Sequence, residues 1–156
     1  MPITLSDKEI QDLIDEQKIL PDNYQSHIIM KPKRGHKESE IDVHGINGSV
    51  FRVLFRQSSI DPFDFSVILG YLIPKTNVLF RLRRYNGRSH EHSNNLEKEK
   101  IYGYHIHQAT ERYQRSGLKE DEYATDTNIY SDIPSAFQCM IQDCNFVPPP
   151  NSQLSF

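Results

Sequence analysis

Tryptophan is absent from this sequence, and its 156 residues include only two cysteines and seven glycines. The cysteines, Cys139 and Cys144, stand five positions apart. That spacing matches neither a disulfide framework nor a zinc knuckle, so both read as reduced core thiols of a cytoplasmic protein. Glycine-rich phosphate loops are missing too: no P-loop and no dinucleotide-binding glycine pattern occurs, which argues against a nucleotide-cofactor enzyme. The longest apolar run, Val67 to Ile73, is far shorter than the ~20 residues that span a bilayer. The amino terminus lacks the basic start and apolar stretch of a signal peptide, so no membrane partner is expected.

What is present fits one ordinary domain, 1–146, followed by a loosely held Pro-rich tail, 147–156. Eight Tyr and eight Phe compensate for the missing indole in the core. The net charge of −3 hides a strong asymmetry. Residues 1–26 carry two Lys against six acids, and 101–156 carry three basic residues against seven acids. Residues 75–90 hold five basic residues and no acid. A basic middle between acidic ends sets a local field that the whole-chain charge conceals.

The opening "SDKEIQDLIDEQKIL" predicts an amphipathic helix. Ser6 and Glu9 form a capping-box pattern, and Ile10, Leu13 and Ile14 mark its apolar stripe. "KESEIDVHG" and "SVFRVLFRQ" alternate on either side of an Asn47-Gly48 turn, which is a hairpin signal. "FDFSVILGYLIP" is a long, nearly continuous apolar strand, expected mid-sheet with both faces covered, and "NVLFRLRRY" follows up to a second turn at Asn86-Gly87. "IYGYHIHQ" suits a strand by its Ile and Tyr, although a helix from Tyr104 stays open. "ATERYQRSG" suits a short helix ended by Gly117. In "SDIPSAFQCMIQDCNF" a cap at Ser131 or Asp132, then Pro134 and an apolar stripe, predict a longer helix. The expected fold is therefore α+β: an antiparallel β-meander of four to five strands, with an N-terminal helix and C-terminal helices packed on one face.

Alternation along strands assigns faces. With Phe51, Val53, Phe55, Val78, Phe80 and Leu82 turned to the core, the open face is expected to display Arg52, Arg56, Arg81, Arg83, Tyr85, His105 and His107. Such a face suits phosphate chemistry, since Arg offers a planar fork to phosphate oxygens and His exchanges protons near neutrality. The first functional expectation is RNA binding, with cleavage by a metal-independent ribonuclease. Arg52, Arg56, Arg81 and Arg83 would hold phosphate, His105 and His107 would serve as base and acid with Tyr85 beside them, and no cofactor would be needed. A non-enzymatic interaction module, paired with a cognate protein partner, is a second expectation.

A third expectation is a metal protein. The stretch 90–107 holds two H-x-H pairs, and imidazoles two apart on a strand lie on one side about 7 Å apart, close enough to share an ion. Neither the paired H-x-T or H-x-S motifs of the two-histidine phosphoesterases nor a central Asn of the His-Asn-His nucleases is in place. Gly87, His90, His92, Glu97 and Gly103 resemble part of the cupin metal motif, in which a Gly precedes H-x-H, a Glu and a second Gly. That resemblance implies His90, His92 and Glu97 as ligands of a transition metal such as zinc. Its second motif, Pro-x-Gly ahead of a His, is missing.

"LFRLRRYNGRSHEHSNNLE", followed by "YHIHQATERYQRSG", "DEYATDTNIYSD" and "CNF", resembles an uncharacterised family of small bacterial and archaeal proteins. The resemblance implies a prokaryotic, cytoplasmic setting, where small orphan domains often belong to toxin–antitoxin or phage-defence systems. It implies no particular catalytic residues.

Overall fold

Ser6 begins the first helix as its capping box predicts. Its hydroxyl accepts from the Glu9 amide at 3.1 Å, and the Glu9 carboxylate accepts from the Ser6 amide at 3.0 Å. The computed structural model describes residues 3–149, and this helix, α1 (Asp7–Asp15), buries Ile10 and Ile14. It ends before Pro21 because Glu16 leaves the helical path. The buried Glu16 carboxylate accepts from Asn47 N and Ser49 Oγ at 3.0 and 2.7 Å, which ties the helix end to the Asn47-Gly48 turn.

Short elements follow: β1 (Lys18–Ile19), α2 (Tyr24–His27) and β2 (Lys31–Pro32). The meander then runs through β3 (His36–Gly45), β4 (Val50–Ser58), β5 (Phe65–Leu72) and β6 (Leu79–Asn86), each antiparallel to the next. A small hairpin, β7 (His92–Asn94) with β8 (Glu99–Ile101), precedes β9 (His105–Gln108). Residues 105–108 are thus strand, which closes the helix alternative. Last come α3 (Glu111–Arg115), β10 (Tyr123–Asp126), α4 (Ile133–Asp143) and β11 (Phe146–Val147).

The main sheet runs β10-β9-β6-β5-β4-β3-β1-β11, with β2 added beside β3, so it has nine strands rather than four or five. The additional strands are two to four residues long, too short for alternation to announce them. Val147 pairs with Ile19 in β11, so the ordered domain reaches past residue 146. Most of the predicted tail, 150–156, lies outside the described residues. One sheet face is dry: Phe51, Val53, Phe55, Val67, Leu69, Phe80 and Leu82 pack with Ile10, Ile14, Phe137 and Met140 from α1 and α4.

Two features redirect the chain toward its histidines. A β-bulge shifts the β5–β6 register, so Gly70 faces Arg81 while Leu69 faces Arg83. Beyond the bulge the alternation of β6 is inverted. Tyr85 therefore enters the core, fully buried, and its hydroxyl donates to Asp143 at 2.7 Å. Arg83 follows it to the helix side, 3.9 Å from Asp143. The expectation that Arg83 and Tyr85 share the open face is thereby corrected; Arg84 takes that place. The second feature is Gly87, which sits against the carbonyl of Phe63 where a Cβ would collide. Asn86-Gly87 is a close approach rather than a hairpin turn, and the chain makes a long excursion through β7 and β8 before β9 returns to pair with β6.

Candidate metal centre

On the open face the register builds rows. Leu54, Ile68, Arg84 and His107 form one row across four strands, and Arg56, Ser66, Asn86 and His105 form the next. His105 and His107 alternate to the same side of β9, as the sequence predicts, but they are buried rather than displayed. What covers them is His92, delivered from outside the main sheet by the β7–β8 hairpin.

Asn94 docks that hairpin. Its side-chain amide copies a strand: Nδ2 donates to the Ala124 carbonyl at 2.7 Å, and Oδ1 accepts from the Ala124 amide at 2.9 Å. The free edge of β10 is thus paired with a side chain, and His92, two residues earlier, is laid over His105 and His107. The His92 and His105 rings stack with centroids 5.4 Å apart, and His107 stands edge-on to both at 4.5 and 4.9 Å. One ring nitrogen of each histidine lies within 4.8 Å of those of the other two.

Hydrogen bonding fixes the tautomers. His92 Nε2 faces two acceptors, Asn94 Oδ1 at 3.0 Å and the Glu122 carbonyl at 2.8 Å, so it carries the proton and leaves Nδ1 with the lone pair. His105 Nδ1 donates to the Gly103 carbonyl at 2.8 Å, and His107 Nδ1 to the Asp121 carbonyl at 2.8 Å. Each of these two rings keeps a lone pair on Nε2. The Asn86 amide, 3.5 Å from His105 Nε2, is a weak donor at best.

Burial holds the buried pair neutral. Desolvation, then the Arg84 guanidinium and the neighbouring imidazoles, lower the His107 pKa to about 2. Desolvation also lowers that of His105, with His92 and Arg84 adding to it. Behind the cluster lies Asp121, fully buried, 3.3 Å from Arg84 Nε and 3.6 Å from Arg81 Nε. Burial raises the Asp121 pKa and lowers that of Arg84, outweighing the attraction each exerts on the other.

The remaining predicted site residues are distributed elsewhere. His90 is exposed and 3.5 Å from Asp64, outside the cluster. Glu97 accepts from Tyr113 Oη and Arg112 Nη2, each at 2.5 Å, so the likeness to the cupin ligand set does not assemble here. Arg52 is held by Asp42 at 2.7 Å and Arg81 by Glu120 at 3.4 Å. Arg56 forms no ion pair among the described residues. The two H-x-H pairs suggest a joint site of all four imidazoles; the structure brings His92 to the second pair and leaves His90 out, and the roles of Asn94, Arg84 and Asp121 were not foreseen. For the two histidines of β9, strand parity was the signal; for Arg84 the bulge hid it.

Taken together, these features define an α+β domain with three converging imidazoles at one end of its sheet. The chain belongs to a family of unknown function, DUF6978, whose family model matches residues 5–147. No curated protein and no solved structure matches it. Among the described residues no helix is long and apolar enough to cross a membrane.

Proposed function

We propose that this protein binds a divalent first-row transition ion of the zinc type through His92, His105 and His107. The observation that carries the reading is the tautomer pattern. Each ring spends one nitrogen on a carbonyl oxygen and keeps the other free to ligate, and one nitrogen of each ring lies within 4.8 Å of those of the other two. Neutral imidazoles whose second nitrogen is hydrogen-bonded are the usual metal-ligating form, and the carbonyls act as orienting partners. A tetrahedral ion with Zn–N bonds of ~2.0–2.1 Å needs ligand nitrogens roughly 3.3 Å apart. The spacing of up to 4.8 Å has to tighten to that value when an ion enters.

Among the described residues this histidine trio is the one group of His, Cys, Asp and Glu side chains placed to hold an ion. Three protein ligands leave a fourth position for solvent or a ligand, which is the pattern of catalytic rather than closed structural zinc. The metal-free ribonuclease reading has less support. With both pKa values lowered, neither His105 nor His107 stands protonated near neutrality as the required acid, and Arg52, Arg81 and Arg83 are each engaged by a carboxylate.

Equilibrium dialysis against zinc tests the proposal. The wild-type protein is expected to retain one equivalent. His92→Ala, His105→Ala and His107→Ala should each weaken binding by more than the ~10–100-fold typical of losing an outer-shell partner. His90→Ala and Glu97→Gln should leave it unchanged. Loss of zinc in His90→Ala, or no retention by the wild type, would overturn it.

A further inference from the structure

We infer that the groove beside the histidine cluster is a phosphate-binding site, with Arg84 as its anchor and the bound ion as its second electrophile; the inference rests on the metal reading above. A depression of about 190 Å³ opens directly over His92, His105 and His107. At ~30 Å³ per water it has room for several water-sized groups, enough for a phosphoryl group. A second depression of about 370 Å³ continues it along the open sheet face past Arg56, and the two share Ser66, Arg84 and Asn86 in their walls. They form one groove, and Arg84 stands at the junction.

The formal charges lining the groove balance, Asp64, Glu91 and Glu122 against Arg84, Lys119 and Arg56, but each acid already has a partner. Asp64 lies 3.5 Å from His90, Glu91 lies 3.4 Å from Lys100, and Glu122 accepts from Asn95 at 3.2 Å. Its cations are not spent to the same degree. Arg84 meets Asp121 through Nε, and no protein partner of its terminal nitrogens occurs among the described residues. Lys119 and Arg56, at the two ends, form no ion pair among those residues. The uncommitted donors are therefore collected around a guanidinium that pairs in register with His107. Direct neighbours across an antiparallel ladder have Cβ atoms ~4.5–5.5 Å apart. A guanidinium fork and an ion held on neighbouring strands match a tetrahedral anion, which can give two oxygens to the fork and a third to the metal. A lone carboxylate has only two oxygens to share. Arg56, farther along the groove, would meet a second phosphate or the remainder of a phosphate ester.

Cobalt(II) in place of zinc reports on this site, because its visible bands change when an anion enters the coordination sphere. The protein loaded with one equivalent of cobalt is titrated with inorganic phosphate at low salt. A saturable band shift is expected, weakened at least ~10-fold in Arg84→Lys, which keeps the charge opposite Asp121 but loses the fork. Lys119→Gln, distant from the core, should weaken it severalfold. Titration with a nucleoside monophosphate and with a short single-stranded oligonucleotide then identifies the source. Tighter binding of the oligonucleotide, lost in Arg56→Gln, marks a nucleic-acid strand; equal affinities mark a small phosphate ester. Cobalt spectra that phosphate leaves unchanged would overturn the inference and leave the metal reading standing. So would an equal response in wild type, Arg84→Lys and Lys119→Gln, which would mark nonspecific anion binding at the metal. Failure to bind cobalt at all would remove both.

Discussion

Asn94 acts on the histidines without being one of them. Only 1 % exposed, it satisfies both main-chain groups of Ala124 and accepts from His92 Nε2 with the same oxygen. Asn94→Ala would strip a buried N–H and a buried C=O of their partners, at ~1–3 kcal/mol each, and free the His92 ring to turn. We expect a loss of about 2–4 kcal/mol in urea unfolding, together with a 10–100-fold loss of zinc affinity. A variant of unchanged stability would show that the hairpin is held by something else. Lys18 shows the same economy on the dry side of the sheet. Its buried ammonium donates to the carbonyls of Leu13, Ile14, Glu16 and Cys144 at 2.7–2.9 Å, and burial lowers its pKa to about 8, so it stays charged at neutral pH. Neither residue announces itself in the sequence. An Asn in a polar loop and a Lys beside a helix end both read as solvated, because their partners are main-chain groups up to 126 positions away.

Among the elements, those with sustained periodicity were legible. β3 and β4 carry alternating stretches, β5 a long apolar run, and α1 and α4 carry caps at their starts and apolar stripes on their inner faces. Parity also put His105 and His107 on one side of β9. It failed at β6, where the bulge beside Gly70 inverts the second half of the strand, exchanges Arg83 for Arg84 on the open face and buries Tyr85. Nothing local in "LFRLRRYN" marks that inversion; it follows from which side of the strand α4 covers. The α4 cap yields a pH-dependent test. The Asp132 carboxylate accepts from the Ser135 amide at 2.9 Å, and hydrogen bonds with Ser135 lower its pKa. A carboxylate with a folded pKa below its unfolded value of ~3.9 contributes fully above that value, and the contribution is lost as the pH falls through the folded pKa. Asp132→Ala should cost about 1 kcal/mol at neutral pH. The difference in urea midpoint from wild type should narrow as the pH is lowered from about 5 to about 2. A difference that stays constant over that range would assign the cost to helix propensity instead.

For the molecule as a whole, the division of labour follows the two faces of one sheet. The face under α1 and α4 is apolar and supplies stability. The other carries rows of Arg, Ser, Asn and His that end at the three histidines. The charge asymmetry of the sequence survives in the fold in altered form: acids from the later third, Glu120, Asp121 and Asp143, return to pair with the arginines of β6. Of the arginines expected on the open face, Arg56 alone is without an ion pair among the described residues, and it lines the same groove as Arg84. The two H-x-H pairs are also redistributed. One member of the first, His92, joins both members of the second, because the hairpin that carries it folds back over β9 and β10. The measurement that tests this account most directly is zinc K-edge X-ray absorption on protein carrying one equivalent of zinc. The account predicts three imidazole nitrogens at ~2.0–2.1 Å, with the outer-shell scattering of imidazole rings and one further oxygen ligand. A first shell without imidazole scattering, or one unchanged in His105→Ala/His107→Ala, would contradict it.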